Sequence, residues 1–282
     1  MGGTVMKYDI RNYYDKGRVL WMTDGSTEVA VALDLGIRVL HLSHAGMENL
    51  LYRQPADLSD NLSTDKGWKI FGGHRLWTAP ESDLSYYPDC EGVSYELTQD
   101  GVIVRQNKDP WLGVQKRLRL SFSPDGSLLL EHTITNTADA PMTIASWGVT
   151  TFDRGEAEVL FGKGTPGSYN PQRTLSLWGD SALSDPRIRF CGEKIYACHK
   201  PMENAFKMGV FAMGGTASLV NKQQRFTLTF EADPQGTYPD GGCNFEVYMD
   251  KFVLELEALG QSKTIAPGES VSHWERWYVE KI

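Results

Sequence analysis

Alternating apolar and polar residues, interrupted by turn residues, are the feature of this chain that most restricts its fold. In the segment 28–42, EVAVALDLGIRVLHL, alternate residues from Val29 to Leu35 share one face, and Gly36 shifts the phase at a bulge or turn. The segment 114–137 predicts a hairpin, with two alternating runs on either side of the turn SPDGS. A period of two residues indicates strands with one buried face.

Further short strands are predicted along the rest of the chain, with turn residues about every 8 to 12 positions, a spacing typical of sandwiches and barrels. The clearest of these lie at 140–152, 157–161, 207–215, 243–260 and 262–282. We expect helical turns only near 45–52 or 57–64. No break in composition divides the 282 residues. The predicted fold class is therefore all-β, a large antiparallel β-sandwich that forms a single domain over residues 1–282.

Composition restricts the partners of the protein. The net charge is -8 and the sequence pI is about 5.3, without a cluster of Lys and Arg, which argues against nucleic acid and anionic membranes as partners. The N-terminal segment lacks the apolar core of a secretory signal, so we expect a cytoplasmic protein. The four cysteines lack metal-site spacing, and GKGTPG at 162–167 is interpreted as a glycine turn because no helical period follows it. We therefore expect no metal and no cofactor.

The segment 70–83, IFGGHRLWTAPESD, combines residue types that suit neither a core strand nor a solvent linker. We interpret it as a long connection at the rim of the sandwich. Its Arg and Glu can bind hydroxyl groups, its Trp offers a flat apolar face, and its His can transfer a proton, which together suit a polyol site. The alternative is a connecting loop whose Trp packs inward and whose Arg and Glu pair with each other.

The segment 244–250, NFEVYMD, places Asn244, Glu246, Tyr248 and Asp250 on one strand face. Aligned polar groups of this kind can line a concave site, although such faces are commonly just solvated in a sheet with one wet side. The same reservation covers the face of the next strand that carries Glu255 and Glu257.

The histidines divide into two groups by their phase. His132 and His41 lie in phase with apolar strand residues and predict hydrogen-bonded core histidines, and His273 in the last strand predicts a structural role. His44 lies where a strand gives way to a loop. We therefore keep it, with Glu48 and Asn49, as a possible site residue.

Four segments together resemble the aldose 1-epimerase, or galactose mutarotase-like, superfamily, in a divergent branch. These segments are IRVLHLSHAGMENLLY, FGGHRLWTAPE, LLLEHTITNTADAPMTIASWGVTTF and CNFEVYMDKFVLELEALGQSKTIAPGESVSHWERWYV. The resemblance spans most of the chain. It implies a galactose mutarotase-like β-supersandwich that binds a sugar on its concave face and interconverts the anomers by acid–base ring opening.

The resemblance also implies roles for particular residues. Glu246 is the candidate general base and His74 the candidate general acid, which would act on the sugar from one pocket. The candidate substrate-binding residues are Arg75, Trp77, Glu81, His44, Asn49, Trp147 and Tyr248. We expect a small sugar or sugar derivative as the partner, and a monomer or homodimer.

The chain departs from the family pattern in two segments near the implied site. The segment YYPDCEGVSYEL stands in place of the family's middle H-G loop. The run after the central strand, where the family has a second histidine, carries Trp147 and no histidine. Three hypotheses therefore stay open: a mutarotase or related isomerase, a non-catalytic carbohydrate-binding or sensing protein, and a structural β-domain whose pocket is filled by its own side chains.

Overall fold

Two antiparallel sheets make up the computed structural model, which describes residues 6–58, 64–164 and 166–282. The first sheet contains β1 (Lys7–Asn12), β2 (Arg18–Thr23), β3 (Thr27–Ala32), β4 (Arg38–His44), β5 (His74–Ala79), β10 (Met142–Phe152), β12 (Leu175–Leu177), β15 (Phe206–Val210), β18 (Phe245–Met249), β19 (Leu254–Leu259) and β20 (Lys263–Ile265). The second contains β6 (Ser94–Leu97), β7 (Gly101–Arg105), β8 (Val114–Phe122), β9 (Leu128–Asn136), β11 (Glu156–Leu160), β13 (Ile188–Cys191), β14 (Lys194–Cys198), β16 (Thr216–Asn221), β17 (Gln224–Phe230) and β21 (Ser270–Lys281).

The strand order brings distant parts of the chain together at the centre of each sheet. The first sheet runs β1-β2-β3-β4-β5-β10-β19-β18-β15-β12, and β20 pairs with the other end of β10. The second runs β13-β14-β11-β16-β17-β21-β9-β8-β7-β6. Strand β10 therefore joins the N-terminal strands to the C-terminal pair β18–β19, and this junction positions the candidate site.

A shared apolar core fills the space between the two sheets. Alternate side chains of both sheets point into it, and Phe152 of the first sheet packs on Phe226 of the second at a ring distance of 5.4 Å. Phe230 and Phe245 stack across the same space at 5.1 Å. Burial of these faces is the main favourable contribution to folding. The two packed antiparallel sheets confirm the predicted all-β sandwich.

Most local predictions agree with the structure. The 114–137 hairpin forms as β8 and β9, and 28–42 forms β3 and β4, with Gly36 in the turn between them at a φ of +68° that suits glycine. A short 3-10 helix covers Ala56–Leu58, whereas 45–52 is not helical; part of 57–64 lies outside the described residues. No helix in the described ranges is both long and apolar enough to cross a membrane.

The interpretation of the segment around His74 as a rim connection was wrong. The segment around His74 is not a rim loop, because His74–Ala79 forms the central strand β5 between β4 and β10. Its side chains alternate as in any strand, with His74, Leu76 and Thr78 on one face and Arg75, Trp77 and Ala79 on the other. The mixed composition reflects two different environments on the two faces of one strand.

A buried ion pair fixes the start of β4 to the loop before β6. The Arg38 guanidinium donates to an Asp89 carboxylate oxygen at 2.6 Å, and both side chains are almost fully buried. Burial alone would raise the pKa of Asp89, but Arg38 and the nearby Lys116 outweigh it and lower that pKa. Removing one partner therefore leaves an uncompensated buried charge.

We expect Arg38→Met to lower the free energy of unfolding by about 3 kcal/mol at pH 7, measured by chemical denaturation. The Asp89 pKa is lower in the folded than in the unfolded chain, so the pair stabilises the protein above the usual carboxyl pKa. This contribution disappears as the pH falls through the folded pKa of Asp89, and the difference between wild type and variant should shrink with it. Arg18→Met is the matched control, since Arg18 forms an exposed pair with Asp34 at 2.8 Å. An equal loss in both variants would contradict the account.

Candidate functional site

A pocket of about 470 Å³ lies on the outer face of the first sheet, the face turned away from the core. Strands β5, β10, β15, β18 and β19 form its floor, and loops on both sides form its walls. The volume is within the range of about 300–1,000 Å³ that is usual for small-molecule sites. Its lining residues include Trp68, Arg75, Glu81, Tyr86, Trp147, Trp178, Lys207, Tyr248, Asp250, Glu255 and Glu257.

Strand register aligns the polar floor residues in rows across the sheet. Arg75 pairs with Val149, which pairs with Glu257, which in turn pairs with Glu246. The next row runs from Thr151 through Glu255 and Tyr248 to Lys207. Because paired residues lie on the same face, three carboxyl groups and two cations converge on one side of the sheet.

Lys207 lies between two of these carboxyl groups. Its Nζ atom is 2.9 Å from Glu246 Oε2 and 3.1 Å from Glu257 Oε2. The contact with Glu257 is a hydrogen bond, whereas the contact with Glu246 is an ion pair without hydrogen-bond geometry. Glu246 is fully buried behind Lys207, and the Glu257 side chain is 2 % exposed.

Burial and mutual repulsion change the proton affinities of this group, which we call the carboxyl cluster (Glu246, Glu255, Glu257 and Lys207). Burial, and then the Glu257 carboxylate, raise the pKa of Glu246 well above its usual range against the opposing effect of Lys207. Burial also raises the pKa of Glu255; Arg75 opposes the rise and Glu257 adds to it. Burial alone would lower the pKa of Lys207, but Glu257 and Glu246 outweigh it and raise that pKa. One lysine cannot neutralise every carboxylate, so the cluster retains a proton where isolated carboxyl groups are ionised.

Aromatic rings surround the carboxyl cluster. The Lys207 ammonium lies 4.4 Å from the ring centre of Trp147 and 4.9 Å from that of Trp178. The Arg75 guanidinium carbon lies 4.7 Å from the ring centre of Trp68, and its Nε has no hydrogen-bond partner among the described residues. Flat apolar faces next to charged donors and acceptors can hold a ring with hydroxyl groups on its edge.

Four of the predicted binding residues line this pocket: Arg75, Glu81, Trp147 and Tyr248. The predicted base, Glu246, does not line the pocket. It contacts Lys207, which does. Trp77 lies on the same face of β5 as Arg75 but is buried and does not line the pocket; it packs edge-on against Trp68 at 5.4 Å.

His74 lies on the opposite face of the sheet from Glu246. Its Nε2 is 2.8 Å from His132 Nε2 of the second sheet, and its Nδ1 is 2.9 Å from the Thr150 hydroxyl. Burial lowers the pKa of His74 to about 4, against the opposing effect of the Glu275 carboxylate. This placement corrects the expectation of one pocket shared by His74 and Glu246, because strand alternation directs His74 into the core and its neighbour Arg75 into the pocket.

Two other predicted residues lie elsewhere. Asn49 donates to the Leu40 carbonyl and accepts from the Leu42 amide, so it organises the loop after β4. It also borders a second, wider cleft of about 710 Å³ at the β1 edge of the sheet. The backbone amide of His44 donates to the Gln224 side chain, and His44 does not border the 470 Å³ pocket.

The sequence analysis missed Lys207, Glu255 and Glu257 as site residues. Glu255 and Glu257 lie on a strand face that is ordinarily solvated, yet here they are 8 % and 1 % exposed. The available signal was the alternation in 243–260, which places carboxyl groups on successive strands. Nothing local in the sequence indicates that β15 pairs with β18 and brings Lys207 between them.

Comparison with solved structures identifies the fold. The chain is similar to a galactose mutarotase-like protein from Lactobacillus casei ATCC 334, with 11% identity, TM-score 0.58, and 93% and 100% of the two chains covered. It is also similar to two proteins named provisionally as aldose 1-epimerases. The one from Escherichia coli K12 has 13% identity, TM-score 0.52 and coverage of 98% and 100%. The one from Klebsiella pneumoniae has 12% identity, TM-score 0.60 and coverage of 97% and 83%.

These likenesses show that the chain has the galactose mutarotase-like fold, which confirms the fold expected from the sequence resemblance. No protein-family model matches the chain, and no curated protein matches it. Identities of this size carry the fold only, so activity has to be argued from the site itself.

We expect Lys207→Met to lower the free energy of unfolding by about 3 kcal/mol, because Glu246 and Glu257 would then face each other without a cation. Adding Glu246→Gln removes one of the two carboxyl groups that repel each other, so the double variant should recover part of the loss. Chemical denaturation of both variants at pH 7 measures this coupling.

Lys251→Met is the control for the lysine change, since Lys251 forms an exposed ion pair with Glu203 at 3.1 Å and should matter little. Additive effects of Lys207→Met and Glu246→Gln would contradict the electrostatic account of the carboxyl cluster.

Proposed function

We propose that this protein binds a sugar in the 470 Å³ pocket and interconverts its anomers, as an aldose 1-epimerase-like isomerase. The observation that carries the proposal is the carboxyl cluster on the floor of an aromatic pocket. Because burial raises the pKa of Glu246 and of Glu255, the cluster can supply both a proton donor and a proton acceptor, which is what ring opening and closure require. The names of the structural neighbours in the same fold are consistent with this chemistry.

In the proposed reaction Glu257 is the general base and Glu255 the general acid. The Glu257 carboxylate takes the proton from the hydroxyl at C1, while protonated Glu255 gives its proton to the ring oxygen. The bond between C1 and the ring oxygen breaks, and the aldehyde rotates about the C1–C2 bond. Re-closure on the other face then returns both protons. The two residues are two positions apart on β19, about 7 Å along the strand, so both side chains can reach one sugar ring.

The remaining groups of the pocket have binding roles in this proposal. Trp147 and Trp178 offer ring faces for the C–H face of the sugar. Arg75, Glu81 and Tyr248 offer donors and acceptors for its hydroxyl groups. A neighbouring cavity of about 350 Å³ borders on Glu81, Trp147 and Lys207 as well, so the site has room for a substituent larger than one hydroxyl.

Glu246, the base implied by the family resemblance, receives a positioning role here. It is fully buried and contacts Lys207 rather than the open pocket. Its charge state affects how strongly Lys207 holds Glu257. We therefore expect Glu246→Gln to change the pH dependence of the rate more than its maximum.

Non-catalytic sugar binding is the second candidate function. It is favoured by the position of His74, which leaves the described lining of the pocket without a histidine. In that case the aromatic rings and Arg75 would hold a sugar whose anomers exchange no faster than in water.

Anomer exchange measured by NMR with a panel of monosaccharides tests the proposal. Wild type should increase the exchange rate of at least one sugar, and Glu257→Gln and Glu255→Gln should each reduce that increase by about 10²-fold or more, since each removes one proton transfer. Saturation-transfer NMR should show that both variants still bind the sugar.

Glu48→Gln is the matched control, because Glu48 borders the other cleft and should leave the rate unchanged. Binding without acceleration in the wild type would favour the second candidate. No binding of any sugar would contradict both functions.

The rate should also depend on pH in one direction through Glu255. A general acid must be protonated, and its pKa is raised, so kcat/KM should stay high above the usual carboxyl range and fall as the pH rises through the folded pKa of Glu255. The alkaline decrease should be absent from the residual rate of Glu255→Gln. A rate that instead rises with pH across this range would contradict the assignment of the acid.

A further inference from the structure

Three histidines and one glutamate cluster between the two sheets, on the face of β5 opposite the pocket. His74 belongs to the first sheet, and His132, His273 and Glu275 belong to β9 and β21 of the second. All four side chains are nearly or completely inaccessible to solvent. This group, which we call the interlayer cluster, takes no part in the proposed sugar chemistry.

Possible metal-ligand atoms of three residues in the interlayer cluster lie close to one another. Single ligand atoms of His74, His132 and Glu275 all lie within 4.8 Å of one another, and the two Nε2 atoms are 2.8 Å apart. Ligand atoms around one tetrahedral zinc ion, at about 2.0–2.1 Å from the metal, are about 3.3 Å from each other. Coordination would therefore require the two Nε2 atoms to separate by about 0.5 Å and the more distant ligand atoms to approach each other by up to about 1.5 Å.

Gly148 of β10 has no side chain at the point where Glu275 approaches the first sheet. A Cβ atom on that residue would lie 1.8 Å from Glu275 Oε1 and 3.1 Å from the His74 ring. Any side chain here would displace the carboxylate from the histidines. The glycine is thus required by the close approach of Glu275 to the first sheet.

Hydrogen bonds to the far side of the residues orient the cluster. His74 Nδ1 is 2.9 Å from the Thr150 hydroxyl, and Trp277 Nε1 donates to Glu275 Oε2 at 2.8 Å. His273 Nε2 is 3.4 Å from Glu275 Oε1, and its Nδ1 is 2.8 Å from the Ser146 hydroxyl. Outer partners of this kind fix the ring orientation and the free lone pair of metal-binding histidines.

The Glu275 carboxylate also lacks a permanent cation. Among the described residues, no lysine or arginine forms an ion pair with it, and its one ion-pair partner is His273. A fully buried carboxylate is costly unless a positive charge compensates it, and a divalent cation does so independently of pH over the neutral range.

We propose that His74, His132 and Glu275 bind one divalent first-row transition metal ion, of which Zn²⁺ is the form to test first. Two imidazoles and a carboxylate are a nitrogen–oxygen donor set suited to such ions. His273 is a positioning residue that holds Glu275. The ion would link β5 of one sheet to β9 and β21 of the other. The sequence spacing concealed this site, because its ligands come from three strands far apart in the chain.

Metal content and stability of the wild-type protein test the proposal. Because the cluster is inaccessible, the chain should be unfolded in chelator and refolded with Zn²⁺, with Co²⁺ or with chelator alone. We expect about one equivalent of metal by elemental analysis after dialysis, and visible d–d absorption bands in the Co²⁺ form. The metal-bound forms should melt about 5 °C or more above the metal-free form.

Variants then assign the ligands. His132→Gln and Glu275→Gln should each lose the bound metal and the Co²⁺ bands, whereas His41→Gln should retain both. His41 is the matched control, since it is another buried histidine but lies outside the cluster and forms a hydrogen bond with Ser43 at 3.0 Å.

Less than a tenth of an equivalent of metal in refolded wild type, with equal melting temperatures in metal and in chelator, would overturn the proposal. The cluster would then be a hydrogen-bond network made by the protein alone. Full metal content in both ligand variants would overturn it as well. The wild-type comparison decides the question if a variant does not fold.

Discussion

The pairing register between β5 and β10 controls both faces of the first sheet. With His74 opposite Thr150 and Arg75 opposite Val149, the imidazole lies among the core residues and the guanidinium lies in the pocket. A shift of one residue would exchange the two environments and place Arg75 against the second sheet. The cost of burying an unpaired guanidinium, together with the packing of Leu76 in the core, makes this register strongly preferred.

The same register explains why the two polar groups of the protein are distinct. The carboxyl cluster lies on the outer face, where Lys207 and Arg75 offset its charge and the aromatic rings limit access of water. The interlayer cluster lies on the inner face, where the Glu275 carboxylate contacts imidazoles and the Trp277 indole, and pairs with no lysine or arginine among the described residues. Although His74 and Arg75 are adjacent in sequence, they belong to different sites, because successive side chains of a strand point to opposite faces of the sheet.

The sequence predicted the architecture well because a period of two residues is local. Alternation in β8 and β9, with a turn between them, was enough to predict that hairpin and, with similar runs elsewhere, the sandwich. The burial of His132 followed from its phase with Leu128 and Leu130, and the structure confirms it. By contrast, the segment around His74 was misinterpreted as a loop, since glycines, a proline and mixed charges obscure a six-residue strand.

The site was predicted only in part, because it depends on which distant strands pair. Arg75, Glu81, Trp147 and Tyr248, which were predicted from residue type and the family resemblance, line the candidate pocket. The sequence predicted a solvated strand face for Glu255 and Glu257, since nothing in their own strand indicates that loops and Lys207 cover them. The family pattern suggested a histidine for the acid, but strand alternation directs His74 away from the pocket.

The position of a bound sugar tests the central claim most directly. A crystal structure with a 1,5-anhydrohexitol, which lacks the C1 hydroxyl and so cannot undergo ring opening, would capture the complex before reaction. The account predicts that its ring stacks on Trp147, with C1 and the ring oxygen next to Glu257 and Glu255. A sugar bound in the cleft beside Asn49, or with its C1 end turned away from both carboxyl groups, would contradict it.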